Sequence, residues 1–415
     1  MRKLSFLSAA VLVSALYSCS SDESATAPSF ETPDLVPVEL GLATNSTEVY
    51  QTRGTGTVGD TSEVKNIYNN EDLYVLMTSV DLPTWGYSTI DSNPTPAQGL
   101  GAQFDNTFKC RPIASGIEGV WTLDYLTYAG MKRYYPVNGS RSDFFAYYID
   151  DAADNTIDAV GPNGATNKVP EVVDGTGNTK ILNFTIDGSQ DILAGKAELS
   201  ADQKTTYGRG FNAKTARAGI IPRIPMKHLL TRFTFSAVPG DVNADGLEIT
   251  AIKIVSKTKG VLTVAYDQDG TIEPKDLIAW DDASAEALSL QERVGDILVA
   301  GEKSELTPLQ TVVMNATDEV NIGDALFVNP EEEEYKLVIE YRYPYIAADS
   351  STKYYEIVDD TQTIKLGNSA KFAVGNSYHV RIKVYGLSEI KLETTLEKWV
   401  DGGVVEIDTA DPNIN

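Results

Sequence analysis

The chain has 415 residues, enough for two domains, and its formal net charge is −25. Nucleic acids and anionic lipid headgroups both require a basic surface, so this charge argues against either one as a partner. The chain contains only two cysteines, and no intramolecular disulfide is expected.

The first 18 residues are typical of a signal peptide. Arg2 and Lys3 precede the apolar stretch 4–16, which is too short to span a bilayer as a helix of the mature protein. The stretch runs into residues 16–19, Leu-Tyr-Ser-Cys, which resemble a bacterial lipobox. Cys19 is therefore the predicted site of lipid attachment, and ordinary secretion with an unmodified Cys19 is the alternative.

One alternating strand follows the predicted lipid site. Four apolar residues share one of its faces: Val36, Val38, Leu40 and Leu42. Pro37 lies on the other face and lacks an N–H donor, which predicts a position at a sheet edge.

The same part of the chain contains one early cleavage site. No Lys or Arg occurs between Lys3 and Arg53, so a trypsin-like or Arg-specific protease would first cut between Arg53 and Gly54. That cut would remove residues 19–53, with the lipid anchor and the whole strand. The domain would then expose a hydrophobic groove with unpaired backbone groups.

The remaining chain is predicted to be all-β, because short alternating runs rich in Tyr and Val recur between Gly, Asn and Asp. Residues 214–219 resemble a linker between an N-terminal domain, 54–222, and a C-terminal domain, 223–415. Residues 150–215 are predicted to form long loops on one sheet, with one clear strand at residues 180–186. A helix is predicted at residues 282–294.

A dense aromatic block at residues 121–148 has two interpretations. The alternation of Phe145 and Tyr147 favours packing in the core of a sandwich. Exposure of Trp121, Tyr134 and Tyr135 on one flat face would instead favour a sugar-binding platform on a permanently anchored lipoprotein.

The sequence lacks the motifs of hydrolytic or metal-dependent catalysis, including HExxH, paired cysteines and GxSxG. Both histidines, His228 and His379, fall in predicted strands, so a His-dependent triad is not expected. The chain is predicted to be no enzyme and to need no cofactor, and a secreted hydrolase is the least favoured alternative.

Residues 241–246 match the first half of an EF-hand loop, with oxygen ligands at Asp241, Asn243 and Asp245. The twelfth position is Ile252 instead of a bidentate carboxylate. A second partial match, at residues 267–270, lacks its first ligand. Both are interpreted as turns, and the first three residues stay weak candidates for binding a metal.

Four motifs in order resemble the fimbrillin family, the lipoprotein-derived pilins of Bacteroidota. They are Thr-Arg-Gly at 52–54, Arg-Tyr-Tyr-Pro at 133–136 with Asp-Phe-Phe-Ala-Tyr-Tyr at 143–148, the strand at 226–235, and the ending at 378–384 with Trp-Val-Asp-Gly-Gly at 399–403.

The resemblance implies two tandem transthyretin-like β-sandwich domains, export as an outer-membrane surface lipoprotein, cleavage after Arg53 by an Arg-specific protease, and adhesion through a fimbria. It also implies polymerisation with other pilin subunits by strand exchange. The implied donor strand is residues 404–409, in which Val405 and Ile407 share a face. The alternative is that this tail is the last strand of its own domain. Shaft, tip and anchor roles all stay open.

Overall fold

The computed structural model describes residues 36–43, 73–81, 107–114, 120–125, 134–136, 139–160, 166–293, 306–355, 358–385, 390–397 and 405–407. The predicted signal peptide, Cys19, Arg53 and Gly54 lie outside these ranges. Contacts group Val36–Asn415 as one unit. The predicted division into residues 54–222 and 223–415 stays a prediction.

The described part is almost entirely β, which confirms the predicted fold class. The first ten strands are β1 (Gly41–Ala43), β2 (Leu73–Ser79), β3 (Thr107–Ala114), β4 (Val120–Tyr125), β5 (Ser142–Tyr148), β6 (Thr156–Val160), β7 (Thr166–Pro170), β8 (Val173–Asp174), β9 (Thr179–Thr185) and β10 (Leu193–Lys196). Two short helices follow, α1 (Ala201–Tyr207) and α2 (Ala213–Arg217).

The later strands lie after the helices. They are β11 (Arg223–Pro225), β12 (Lys227–His228), β13 (Thr231–Pro239), β14 (Glu248–Lys257), β15 (Lys259–Tyr266), β16 (Ile278–Trp280), β17 (Ala285–Ser289), β18 (Gln291–Arg293), β19 (Leu306–Pro308), β20 (Val312–Val313), β21 (Val320–Val328), β22 (Glu334–Arg342), β23 (Pro344–Ile346), β24 (Thr352–Tyr354), β25 (Val358–Lys365), β26 (Ser377–Val384), β27 (Ile390–Glu397) and β28 (Val405–Ile407).

The largest sheet closes on itself. Its eight strands follow the order β11-β1-β4-β3-β2-β5-β10-β12, and Met226 alone separates β11 from β12 in the chain. β11 pairs in parallel with β1, and β12 pairs antiparallel with β10. Residues 223–228, which we call the closing segment, therefore join both ends of the sheet and make it a barrel.

The position predicted for the strand at residues 36–42 is wrong. β1 lies between β11 and β4 instead of at an edge. Pro37 forms an isolated bridge with Tyr134 before the paired strand begins, so its missing N–H does not interrupt β1. The closing segment pairs with β1 along the side that was predicted to be an unpaired sheet edge.

A four-stranded sheet, β16-β15-β9-β8, joins the two halves of the chain. β9 precedes the closing segment and β15 follows it, and the two strands pair antiparallel. Leu182 of β9 and Leu262 of β15 share the larger core with Phe145 and Tyr147 of β5.

The later strands form two five-stranded sheets. One has the order β21-β13-β26-β27-β28, and the other has β17-β14-β22-β25 with β20 paired to β14. Their inner residues, such as Phe233 and Val380 from the first and Ile254 and Leu337 from the second, belong to one core, as in a β-sandwich.

Three local predictions are wrong. The described part of the helix predicted at 282–294, residues 282–293, is a 3-10 turn followed by β17 and β18, because β17 pairs with β14 and this tertiary pairing outweighs the helix propensity of Ala, Glu and Leu. Residues 150–215 contain five strands and two helices instead of long loops. The predicted linker, 214–219, lies largely in α2, whose Thr215 is buried.

The part of the chain that the structure describes has no helix long and apolar enough to cross a membrane.

Candidate functional site

Residues 36–43, which we call the first segment, contain β1 and form part of the barrel wall. Val38 and Leu40 are buried, with 2% and 3% of their surfaces exposed, whereas Glu39 between them is exposed. Leu42 pairs through its backbone with Trp121 on one side and with Ile224 on the other. The alternation predicted for this strand therefore places the side chains of Val38 and Leu40 inside the barrel.

Hydrogen bonds outside the regular ladders also hold the first segment. The backbone N–H of Tyr135 donates to the carbonyl oxygen of Val36 at 2.9 Å, and the N–H of Gly41 donates to that of Pro222 at 2.9 Å. Val36 itself is partly buried against the same core. The segment is thus bonded on both flanks.

The core that receives this segment is apolar and aromatic. It contains Tyr135, Phe144, Phe211, Ile224 and Met226. The ring of Phe144 meets the rings of Tyr135 and Phe211 edge-on, at centroid distances of 6.1 and 5.9 Å. Burial, together with the nearby charge of Glu39, raises the pKa of Tyr135 far above its ordinary value.

Loss of the first segment would convert this part of the barrel into a slot. β4 and β11 would each be left with unpaired backbone groups, and the apolar core between them would face water. Burial of a large aliphatic side chain is worth about 1.5–3 kcal/mol, so Val38 and Leu40 alone make the slot a strong acceptor for a replacement strand.

The proposed donor residues lie in the last described strand. β28 pairs antiparallel with β27, with Val405 opposite Leu396 and Ile407 opposite Thr394. The described part of the tail, residues 405–407, is therefore a strand of its own sheet here.

Five aromatic residues of the block are core, while the side chain of Trp121 lies outside the described part. Tyr135, Phe144, Phe145, Tyr147 and Tyr148 are all at most 2% exposed. These side chains form the packed interior instead of a flat sugar-binding face.

The weak metal candidates serve a turn. The Asp241 carboxylate accepts a hydrogen bond from the backbone N–H of Asn243 at 2.9 Å and another from its side-chain amide at 3.0 Å. Asp245 ends the same 3-10 turn. Within the described ranges, no group of three or more His, Cys, Asp or Glu side chains could hold a metal ion.

The sequence did not reveal that a buried lysine ammonium contacts the turn at residues 267–270, the second partial match to an EF-hand loop. Lys196 is 2% exposed, and its Nζ donates to the carbonyl oxygens of Gln268 at 2.6 Å and Gly270 at 3.0 Å. The same ammonium lies 2.9 Å from Glu198 and 3.6 Å from Asp143. A side-chain cation thus occupies the turn that partly matched a calcium loop.

Two further cations extend this network. Arg209 lies 2.6 Å from Asp143 and 3.0 Å from Asp267, and Lys204 lies 2.8 Å from Asp269. Burial raises the pKa of Asp143, and its neighbouring cations only partly oppose that effect. The network joins β5, β10 and α1 to the turn after β15, so its role is to hold the two halves together.

Neither histidine is placed as a catalytic base. His228 Nδ1 lies 2.7 Å from the Asp191 carboxylate, and both residues are buried. His379 contacts Ser236 Oγ through Nε2 at 2.8 Å, but that hydroxyl is buried and donates to Glu319 at 2.5 Å. The serine therefore lies between the histidine and the carboxylate, whereas a catalytic triad places the histidine between the other two.

These features define a class of protein. It is an all-β chain with a closed barrel, and the barrel strand β1 precedes the predicted cleavage site at Arg53 in the sequence. The fimbrillin-like family model matches residues 103–399. The chain belongs to the fimbrillin-like family.

Solved structures resemble the chain at low identity. A candidate cell adhesion protein from Bacteroides uniformis is 11% identical, with 89% of this chain and 99% of that chain covered and a TM-score of 0.44. The fimbrial anchor protein Mfa2 from Porphyromonas gingivalis is 12% identical, with coverages of 90% and 100% and a TM-score of 0.34. The tip fimbrial protein Mfa3 from the same organism is 10% identical, with coverages of 86% and 98% and a TM-score of 0.30. No curated protein sequence matches.

Proposed function

We propose that this chain is a structural subunit, shaft or tip, of a cell-surface pilus that supports adhesion. It is exported as a lipoprotein through Cys19 and held at the outer membrane. An Arg-specific protease then cuts between Arg53 and Gly54, and the processed subunit joins other pilin subunits by strand exchange. Membership of the fimbrillin-like family supports this proposal.

The observation that carries the proposal is the placement of the first segment. It is bonded on both sides and buries Val38 and Leu40, yet it belongs to the N-terminal stretch that a cut at Arg53 would release. Its removal leaves an acceptor slot between β4 and β11, and the favoured occupant of such a slot is an extended strand.

The tail supplies the donor in this scheme. Val405 and Ile407 lie in β28, which leaves its short pairing with β27 and enters the slot of the next subunit. A shaft subunit needs both the slot and the donor, whereas a tip subunit needs only the slot. The two roles therefore differ in whether removal of the tail stops growth of the filament.

Two variants test this function in cells. Arg53→Ala blocks the cut, and deletion of residues 404–415 removes the donor. We expect Arg53→Ala to abolish surface filaments seen by electron microscopy, while Arg381→Ala, which removes an exposed strand arginine, leaves them intact. Filaments of normal length in the Arg53→Ala strain would contradict the proposal. Loss of filaments on tail deletion assigns the shaft role, and retention assigns the tip role.

A specific surface favours a second candidate function, a permanently anchored ligand-binding protein or an anchor subunit. The β23–β24 hairpin exposes Tyr345, Ile346, Tyr354 and Tyr355. The rings of Tyr345 and Tyr355 lie 4.9 Å apart. Exposed tyrosine faces suit stacking against the apolar face of a sugar.

A further inference from the structure

Basic residues are segregated along this acidic chain. Residues 203–240 contain seven Lys or Arg and no Asp or Glu, although the net charge of the chain is −25. Lys204 and Arg209 take part in the buried network, and Arg232 is buried against Ser377. The other four cations of this stretch are exposed, and we call them the basic strip: Lys214, Arg217, Arg223 and Lys227.

Arg223 of the basic strip lies beside the first segment, and Lys227 lies on the same outward face of the closing segment. Ile224 and Met226 point into the barrel core, so Arg223 and Lys227 point outward, about 13 Å apart along the strand. Arg223 is the register partner of Gly41 in β1. If the first segment leaves, Arg223 stands at the rim of the slot.

The helix before the closing segment carries the other two cations of the strip. Lys214 and Arg217 are exposed on α2, which is fixed by the capping box of Asn212 and by the buried Thr215. Neither Arg223 nor Lys227 forms an ion pair with any residue that the structure describes.

The two segments linked to the slot are both acidic. Residues 19–52, which contain the first segment, hold six Asp or Glu and no Lys or Arg. Residues 399–415, which contain the proposed donor strand, hold four Asp or Glu and no Lys or Arg. The charge of the strip is thus complementary to the occupant before cleavage and to the proposed occupant after it.

We propose that the basic strip is a docking surface that steers the acidic tail, residues 399–415, of a second copy of this chain into the slot. This inference rests on the proposed function. Two processed subunits, residues 54–415, each keep a net charge of −22 and repel each other, so a local patch of the opposite sign raises the rate of productive encounter. Screening by salt removes that advantage, since the Debye length is only about 8 Å at physiological ionic strength.

The test measures how fast processed subunits associate. The full chain is purified from cells and cut by an Arg-specific protease to a product that begins at Gly54, as checked by intact mass. Light scattering then gives the initial rate of assembly. We expect the wild-type rate to fall about tenfold between about 0.05 and about 0.5 M NaCl. The double variant Arg223→Glu/Lys227→Glu should be about tenfold slower at low salt, and its rate should rise with salt, because salt screens the repulsion between the acidic subunits.

A matched control separates the strip from net charge. Lys336→Glu/Lys365→Glu changes the net charge equally on exposed positions of β22 and β25, and its assembly rate should stay within about twofold of the wild-type rate. Arg223→Gln/Lys227→Gln should give an intermediate rate. Before cleavage, each variant should unfold at the same temperature as the wild-type chain, which checks that the barrel is intact.

The outcomes distinguish this inference from the proposed function. If the strip variant assembles as fast as the control, or both are slowed equally, the docking role of the strip is wrong and the pilus function stands. If cleaved wild-type protein does not associate at any salt concentration, the shaft role fails and the steering role fails with it, whereas a tip role, which needs only the slot, stands.

Discussion

The backbone N–H of Gly41 donates a 2.9 Å hydrogen bond to the carbonyl oxygen of Pro222, which joins the first segment to the stretch that closes the barrel. The two residues are far apart in sequence, but they lie where the neighbouring strands β1 and β11 begin to pair. The closing segment is therefore the neighbour that the first segment would leave behind, and the stability of one depends on the other.

Leu40→Ala should destabilise the uncleaved chain and leave the cleaved chain unchanged. Leu40 is 3% exposed in the barrel core, so its truncation lowers the free energy of unfolding by about 2–5 kcal/mol. Urea denaturation of both forms measures the difference. Glu39→Ala, at an exposed neighbouring position, is the control with an expected change below about 0.5 kcal/mol. An equal loss in the cleaved form would mean that the first segment is not released.

Gly195→Ala should open the barrel locally. An added Cβ would lie 2.3 Å from the carbonyl oxygen of Pro225, so β10 and the closing segment must separate. We expect a loss of about 1–3 kcal/mol in unfolding free energy. Hydrogen exchange should accelerate in peptides covering 191–196 and 223–228, while 377–384 serves as the internal control. Unchanged protection at both peptides would contradict the closed sheet.

Removal of the buried ammonium should weaken the contact between the halves. Lys196→Met leaves the carbonyl oxygens of the 267–270 turn without their cation and Asp143 with Arg209 as its remaining partner, which destabilises the fold by about 1–3 kcal/mol. The control Lys204→Met removes a more exposed cation of the same network and should lose less than about 1 kcal/mol. Thermal or urea unfolding compares them, and equal losses would contradict the central role of Lys196.

The ion pair of Asp81 and Arg141 should give a pH-dependent contribution to stability. Side-chain hydrogen bonds from Arg141, such as Nε to Oδ1 at 3.0 Å, outweigh burial and lower the pKa of Asp81. Because the folded pKa is below the unfolded one, the stabilisation is present above pH of about 3.9 and is lost as pH falls through the folded value.

Asp81→Asn tests this contribution. The pair is about one-third exposed, so the variant should lose less than about 1 kcal/mol at neutral pH and nothing at the acid end. Denaturant titrations at pH values from neutral to acid measure the loss of unfolding free energy. The control is Asp158→Asn, which removes the more exposed ion pair of Asp158 with Lys168. A loss that is constant with pH would show that the lowered pKa of Asp81 is not its source.

Local patterns in the sequence predicted the strands well. Alternation predicted the all-β class and the inward face of Val38 and Leu40, since a period of two is a local property. The first turn of α1 was also readable, because Ser200 and Gln203 form a capping box at the expected spacing. That signal was missed in a stretch rich in turn residues.

Long-range topology was not readable from local patterns. Pro37 pointed to an edge, but residues 223–228 cover that edge from far along the chain. Lys196 finds its carbonyl acceptors at Gln268 and Gly270, more than 70 positions away, so no local motif marks it. The helix predicted at 282–294 failed for the same reason, because its pairing partner is β14.

The most direct test of strand removal is N-terminal sequencing and intact mass of the protein purified from the cell surface. The account predicts a chain that begins at Gly54 and carries no acyl mass. A chain that begins at an acylated Cys19 and still contains the first segment would contradict polymerisation by strand exchange into this slot.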